Sequence, residues 1–492
     1  MNSSFRSTKP ANRREFCSLA GATVAAACFP RSALAQSAPP AGEAKFTGSL
    51  AVDETAPICT LPLDFTGLSY ESAQLANPDF FSAGNTLLIQ LFRELSPQGV
   101  LRLGGGSSEY TTFSELEPQG PPPFETFGPD TSKTVKKGTI TSALALRNLR
   151  AFLDAANWTC LYGLNLAQGT KENAVAEAEA AHRVLGPRLA ALQIGNEPDS
   201  FGHFRQRTWG PEDYIREWLA FHDAILARVP GARFAGPDIS NKLSFLTAFA
   251  AIAPQHPDII LLTDHYYAMG PAGNPAATLE NLLLPQPRLT TLKWDNVPVI
   301  EDAMHTTKLP FRISECNSCW NGGMPGVSDV FASALWCADV MLHFASLKLC
   351  GVNLHGGGNG IYSPIAGSPT AGFSRRPEFF GIQFAQHFAG ATLLRADLRC
   401  DSDRVTAYAA RRSSDRGVSM LAVINKSDSP VALRLQGGLV QHSHWHGMQL
   451  SAESLEAKNG IAFKPIRSHL SSHGVLEIAP HSAVQLSQPQ SA

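Results

Sequence analysis

From about residue 62 to 360 the chain repeats one pattern, a short run of apolar, strand-favouring residues followed by a stretch with helical spacing. Eight such runs stand out: Phe65–Tyr70, Val100–Leu103, Leu161–Leu166, Leu192–Gly195, Arg233–Gly236, Ile259–Tyr267, Phe311–Ser314 and Gly351–His355. The helical stretches between them have readable ends. Pro211 opens one that carries Tyr214, Trp218, Phe221 and Ile225 on a single stripe. Ser328 is expected to cap another, with Phe331, Leu335, Ala338 and Leu342 on one face. A third, after Thr170, stops at Gly186-Pro187. Eight strands alternating with helices over ~250–300 residues predict an α/β fold of the (β/α)8 TIM-barrel type. The rival, an open doubly wound sheet, is usually marked by a glycine-rich phosphate turn. Gly104-Gly105-Gly106 and Gly356-Gly357-Gly358 lack that motif's spacing and trailing acid, and read as tight turns at strand ends.

After about residue 380 the texture changes to short β-type runs separated by Ser, Asp, Gly and Pro. These are Val405–Ala410, Val418–Asn425, Val431–Leu435, Met448–Ser451, Gly474–Ile478 and Ala483–Leu486. They predict a C-terminal antiparallel β-sandwich, to which the alternating segment Phe46–Val52 is expected to add a strand. The expected organisation is an export signal over 1–35 and a proline-rich linker over 36–44. An N-terminal strand over 45–60 joins the β-domain, the barrel spans 61–378, and the sandwich spans 379–492.

The N-terminus reads as an address. Arg13-Arg14 precedes a modest apolar run, Leu19 to Phe29, and Ala33-Leu34-Ala35 supplies an A-x-A cleavage site. This is the form of a twin-arginine signal, so a bacterial source with periplasmic or secreted localisation is expected. Lipoprotein processing at Cys28 is the other reading. The run is too short to cross a bilayer, and no later segment offers 18 uninterrupted apolar residues, so no membrane span is expected.

The chain has 492 residues, 44% of them hydrophobic and 17% charged, a globular composition. Removing the signal's five cations (Arg6, Lys9, Arg13, Arg14, Arg31) and one anion (Glu15) takes the charge balance from 40 against 42 to 35 against 41, a net −6. That acidic balance argues against a nucleic-acid partner. Seven of nine cysteines would remain in the mature chain, too few for a disulfide scaffold, and the odd number leaves at least one outside any intramolecular pair.

In a barrel of this kind the polar residues to question lie at the C-terminal ends of the strands. Strand four ends in Gly195-Asn196-Glu197-Pro198 and strand seven in Ser314-Glu315-Cys316-Asn317. Asn196 can donate an amide hydrogen bond beside Glu197, and Pro198 is expected to turn the chain away from helix. Glu315 follows an apolar-rich run and should project from the barrel core. Two carboxylates facing across a pocket suit glycoside hydrolysis, one protonated to serve the leaving oxygen and the other ionised. A separation of ~5–5.5 Å would give retention and ~6.5–9.5 Å inversion.

With these residues in place the sequence resembles the retaining glycosidase clan built on (β/α)8 barrels. Gly67-Leu68-Ser69-Tyr70-Glu71, Leu101-Arg102-Leu103-Gly104-Gly105, Asp264-His265-Tyr266-Tyr267, Gly326 to Ala332, Ala334-Leu335-Trp336 and Asn353-Leu354-His355-Gly356-Gly357 narrow the resemblance to glycoside hydrolase family 79. This is the family of β-glucuronidases and heparanases. From about residue 45 onward the resemblance implies Glu197 as acid/base, Glu315 as nucleophile, and Tyr267 as the tyrosine orienting that nucleophile, with Tyr266 as the alternative. It also implies Glu71 and Asn196 as ligands of sugar hydroxyls, and Tyr362 with loop N–H groups as holder of a uronate carboxylate. Such donors suit an anion without placing a full positive charge beside the nucleophile. Two positions depart from the family pattern: Cys316, where threonine or glycine would follow the nucleophile, and Trp320, where tyrosine would approach the sugar carboxylate. No cofactor and no metal is implied; the expected partner is a carbohydrate, a β-glucuronide.

The leading expectation is therefore an exo-acting retaining β-D-glucuronidase. Its alternatives are an endo-acting, heparanase-like enzyme, a barrel glycosidase for a neutral sugar, and an inactive carbohydrate-binding barrel. No Lys/Arg cluster near the strand-end loops favours the endo reading. Cys316-Asn317-Ser318-Cys319 has redox spacing in the wrong context, and His442, His444 and His446 read as a solvent-facing row. There is no G-x-S-x-G elbow to support a serine hydrolase.

Overall fold

The computed structural model describes residues 46–117, 138–206, 208–284, 296–356, 360–415, 417–441, 445–466 and 474–489. The signal and linker read over 1–35 and 36–44, and Gly357, Gly358, His442 and His444, lie outside the described residues. His446 is exposed, at the start of a strand. Among the described residues no helix is long and apolar enough to cross a membrane.

Eight strands close into a parallel barrel: Thr66–Glu71, Gly99–Gly104, Trp158–Leu164, Leu189–Ile194, Phe234–Ile239, Ile259–Tyr267, Phe311–Asn317 and Gly351–His355. Each pairs with the next in sequence, and the eighth returns to the first. Alternation divides each strand between two environments. Leu68, Leu101, Leu103, Leu192, Ile313 and Leu354 belong to the main apolar core. Inside the barrel, Val100, Leu161, Ala191 and Ala235 form a small apolar layer. Above it lies a buried polar layer of Ser69, Arg102, Gln193, Asp238, Thr263 and Ser314. Hydrogen bonds join these six: Arg102 donates to Ser69, Gln193 and Asp238, Gln193 to Asp238 and Thr263, and Ser314 to Asp238.

The helix Pro211–Arg228 buries Tyr214, Trp218, Phe221 and Ile225, and Thr170 caps Lys171–Leu185 by accepting from the Asn173 N–H. The helix Phe331–Ser346 begins differently from the sequence expectation. Its N-cap is Val330, and Ser328 instead accepts from the Met324 N–H and the Ser318 hydroxyl. The reason is that carbonyls of the β-domain, Ala457 and Leu455, take the Phe331 and Ala332 N–H groups, so no serine is needed for those two free donors. Nearly every residue of this helix is buried.

The β-domain is one curled nine-stranded sheet, largely antiparallel. Its order is Ala462–Ile466, His446–Ser451, Ser482–Ser487, Met420–Asn425, Val405–Arg411, Thr392–Cys400, Phe46–Thr60, Val431–Leu435 and Val475–Ile478. Phe46–Thr60 pairs antiparallel with Thr392–Cys400 and parallel with Val431–Leu435. Its register shifts on either side of Pro57, which has no N–H for the ladder. The sheet closes over an apolar core that includes Leu50, Val423, Leu433, Leu476 and Leu486. A buried ion pair fastens it to the barrel: Lys426 Nζ lies 2.5 Å from Asp339, which also accepts from Thr406 and Tyr408.

Candidate active site

Glu197 and Glu315 meet at the C-terminal mouth of the barrel, and local backbone geometry aims each of them. Glu197 follows strand four in the left-handed region, with φ +50°, and Asp238 near the end of strand five shares that conformation at φ +61°. Both are non-glycine residues in a sparsely populated region, held there by the Glu197 N–H donating to the Asp238 carbonyl at 2.8 Å. Pro198 does not turn the chain from helical structure. It occupies the first turn of a 3-10 helix, Pro198–His203, because its missing N–H and fixed φ suit that position.

Glu315 is aimed by an irregularity in strand seven. Register with strand six runs Ile313 to Asp264 and then Glu315 to His265, so Ser314 is an extra residue. The bulge lets Ser314 and Glu315 both serve the interior. Cys316 is then carried to the outer side, into the main apolar core, away from the pocket. Cys316 and Cys319 form no bridge, and all seven described cysteines are free thiols.

The two carboxylates have opposite environments. Tyr267 donates to Glu315 Oε1 at 2.6 Å and Arg102 to Oε2 at 2.6 Å. His355 Nδ1 is 3.8 Å and His265 Nδ1 4.0 Å from Oε2. Burial pushes the Glu315 carboxyl up, but His355, His265, Arg102 and the Tyr267 hydroxyl outweigh it and bring it down to about 2. Glu197 is 32% exposed at the mouth and pairs with His265 Nδ1 at 2.9 Å. Burial among protein groups raises its pKa, and Glu315 adds to that rise, against the lowering by His265. Oxygens of Glu197 and Glu315 and Nδ1 of His265 lie within 4.8 Å of one another.

Beneath the pair, Asp238 binds both Arg102 and His265, at 2.5 and 3.2 Å. Burial opposes charge on His265, but Asp238 and Glu315 prevail and hold it protonated. A full positive charge does stand beside Glu315, since the Arg102 guanidinium touches it. Arg102 fits because Gly104 and Gly105 clear the space. A Cβ on Gly104 would lie 2.3 Å from the guanidinium, and one on Gly105, at φ +71°, 2.5 Å from the Glu71 carboxylate. The first triple-glycine turn is thus clearance for two charged side chains.

The remaining expected residues divide. Glu71 is fixed by the Ser107 N–H and hydroxyl at 2.8 and 2.5 Å and faces His355 Nε2 at 3.7 Å. Burial would raise its pKa, yet His355 and Ser107 leave it lowered, a ready acceptor for a hydroxyl. Asn196 Oδ1 accepts from Arg102 at 2.6 Å, which leaves its amide N–H groups as the donors available to a ligand. Its backbone N–H donates to Glu109, a buried carboxyl that also accepts from the Leu166 and Ala167 N–H groups. Tyr362 is buried, with its ring centroid 6.0 Å from that of His355. Tyr266 is not brought to the site. Strand alternation turns it outward, where its ring packs edge-on against Phe344. Trp320 stands on the rim with 42% of its surface exposed, its backbone N–H donating to the Gly270 carbonyl.

Arg102, Asp238, His265, His355 and Glu109 were given no role from sequence. The available signal for the first four was a charged or imidazole side chain inside an otherwise apolar strand, where an unpaired charge would not be tolerated.

Fold and site together define the class, a (β/α)8-barrel glycoside hydrolase with an accompanying β-domain. The particular proteins it is similar to are β-glucuronidases. One from Aspergillus niger is 25% identical over 391 residues, 72% of this chain and 69% of the relative. Another from Neurospora crassa is 25% identical over 382 residues, 69% of this chain and 66% of the relative. A baicalin-β-D-glucuronidase of Scutellaria baicalensis is 23% identical over 259 residues, and the match spans 45% of that protein. No protein-family model matches the chain. Among solved structures, a 4-O-α-L-rhamnosyl-β-D-glucuronidase from Fusarium oxysporum superposes with a TM-score of 0.66 at 17% identity, covering 90% of this chain and all of that one. A family 51 arabinofuranosidase from Xanthomonas axonopodis gives 0.62 at 12% identity over 90% of this chain and 99% of its own. At those identities the likeness is one of fold.

Proposed function

We propose that the protein is an exo-acting, retaining β-D-glucuronidase that removes terminal glucuronic acid from glycans or glycosides. The observation that carries the retaining reading is that oxygens of Glu197 and Glu315 lie within 4.8 Å of each other, short of the ~6.5–9.5 Å needed to seat a water between the two carboxyl groups. Glu315, ionised, attacks the anomeric carbon while Glu197 passes its proton to the departing oxygen. Forming the ester neutralises Glu315, which removes one of the influences raising the Glu197 pKa. Glu197 is then better able to stay ionised and take a proton from the water that releases the sugar. Raising the pH past the Glu197 pKa removes the proton needed in the first step, so activity should fall on the alkaline side.

The uronate reading is supported by the β-glucuronidase relatives and by Tyr362, buried against His355. A panel of nitrophenyl β-glucuronide, β-glucoside and β-xyloside tests it, and preference for a neutral sugar would overturn it. Glu315→Ala should lose roughly 10⁴-fold or more in kcat. Azide should restore turnover of an activated glycoside, giving a glycosyl azide of inverted configuration. Near-native hydrolysis by that variant would remove the nucleophile assignment. The paired arginines and A-x-A site support export, and Arg13→Lys with Arg14→Lys should leave the protein in the cytoplasm.

A further inference from the structure

At the end of the barrel opposite the catalytic mouth, His222, His256 and Asp258 converge between helix Pro211–Arg228 and the turn entering strand six. We propose that they form a zinc site that ties this helix to the barrel wall.

The His222 ring has a carboxylate at each nitrogen, Asp223 at 2.9 Å from Nδ1 and Asp258 at 2.5 Å from Nε2. A neutral imidazole carries one N–H, so one nitrogen would present its lone pair to an anionic oxygen. A metal ion at Nε2 would take up that lone pair and leave Nδ1–H to Asp223. His256 decides for the metal: its ring centroid lies 4.9 Å from that of His222, at 87°, and the three ligand atoms are within 4.8 Å of one another. A simple imidazolium–carboxylate pair has no use for this second imidazole.

The scaffold is stiff. The His222 ring is buried, stacked on Trp218 and packed against Phe234, both with centroids at 4.8 Å. His256 is fixed by its N–H to the Ala253 carbonyl and by its carbonyl accepting from Ile259, and the Asp258 carbonyl accepts from Phe234. Zinc bonds of ~2.0–2.2 Å set a ligand spacing of roughly 3.3 Å, so the 2.5 Å contact between His222 and the half-buried Asp258 opens to admit the ion. Asp223 takes the part of the outer carboxylate that receives Nδ1–H and points Nε2 at the metal. Two imidazoles and one carboxylate favour zinc over magnesium or calcium and leave a fourth position for water. Position on the N-terminal face of the barrel makes the role one of stability.

A second trio, Glu197, His265 and Glu315, has comparable spacing, so the test must separate the two. Chelator-stripped full-length protein is titrated with zinc chloride, following stoichiometry calorimetrically and thermal unfolding in parallel. One zinc per chain and a melting temperature a few degrees higher, at about 100-fold excess over Kd, are expected. His256→Ala should weaken binding by about tenfold or more with an unchanged circular dichroism spectrum, and Asp223→Asn by about 10-fold or more. Glu315→Gln should bind zinc as the native protein does. Absence of stoichiometric uptake, uptake that survives His256→Ala, or uptake lost in Glu315→Gln would each overturn the proposal.

Discussion

The barrel interior and the β-domain core solve the same packing problem with opposite materials. Inside the barrel, Arg102, Asp238, His265 and Glu315 form one buried network in which every charge has a partner of opposite sign. Inside the curled sheet, Leu50, Leu433, Leu476 and Leu486 fill space with hydrocarbon. Apolar burial is non-directional and stabilises in proportion to area, whereas a buried charge network stabilises only while all its members remain in place. The difference teaches where the molecule has accepted risk for function. Charges are concentrated where a carboxylate must be held ionised.

Removing the centre of the charged region should have the largest effect. Arg102→Met leaves Asp238 and Glu315 without their shared guanidinium. A loss on the order of 3–5 kcal/mol is expected in chemical unfolding. In any protein that still folds, the acid limb of the pH–rate profile should move upward, because one of the groups holding Glu315 down has gone. Unchanged stability and an unmoved acid limb would break the contrast between the regions.

The joint between them should come next. Asp339→Ala strands the buried Lys426 ammonium, and about 3 kcal/mol of stability should be lost, with kcat/KM of the folded fraction unchanged. Replacing both partners, Asp339→Leu with Lys426→Met, should recover most of that loss, since no unpaired charge remains. Within the sheet, Leu433→Ala should cost about 2–4 kcal/mol and leave the pH–rate profile where it is. A shifted profile would mean that the sheet core communicates with Glu197 and Glu315.

The same contrast decides what could be read from sequence. All eight barrel strands were legible because their outward residues are apolar and their lengths short. The β-domain was legible where apolar residues run together, but Thr392–Cys400 and Ala462–Ile466 were not, since Arg395, Asp397, Arg399 and Lys464 are exposed and break up the apolar run. Glu197 and Glu315 were visible because each stands at a strand end beside apolar sequence. Arg102 and Asp238 were not assigned because their roles depend on which strands become neighbours across the barrel, a relation that local periodicity does not encode. Tyr266 and Tyr267 could not be separated without the strand's phase, and Ser328 lost its capping role to carbonyls more than a hundred residues away.

Glu177 offers the finest test, because it is a buried carboxyl with no cation paired to it among the described residues. It sits on helix Lys171–Leu185 and accepts from the Tyr162 hydroxyl at 2.8 Å. Burial pushes it up from 4.5 to about 7, with the tyrosine lowering it only in part, whereas equally buried Glu315 is brought down to about 2 by its cations. The signs for stability are therefore opposite. Glu315 binds fewer protons folded than unfolded, so its contribution is present above pH 4.5 and lost as the pH falls towards 2. Glu177 binds more protons folded, so its contribution is present below pH 4.5 and lost as the pH rises towards 7. At about 1.4 kcal/mol per unit, the Glu177 share is on the order of 3 kcal/mol. Glu177→Gln keeps an acceptor for Tyr162 and cannot ionise. Urea unfolding at pH 5 and pH 8 should show native protein losing this increment at the higher pH and the variant retaining it, with the two nearly equal at pH 5. An identical pH slope in both would show that Glu177 does not hold its proton in the folded barrel, and that burial without a cation is no costlier here than burial beside one.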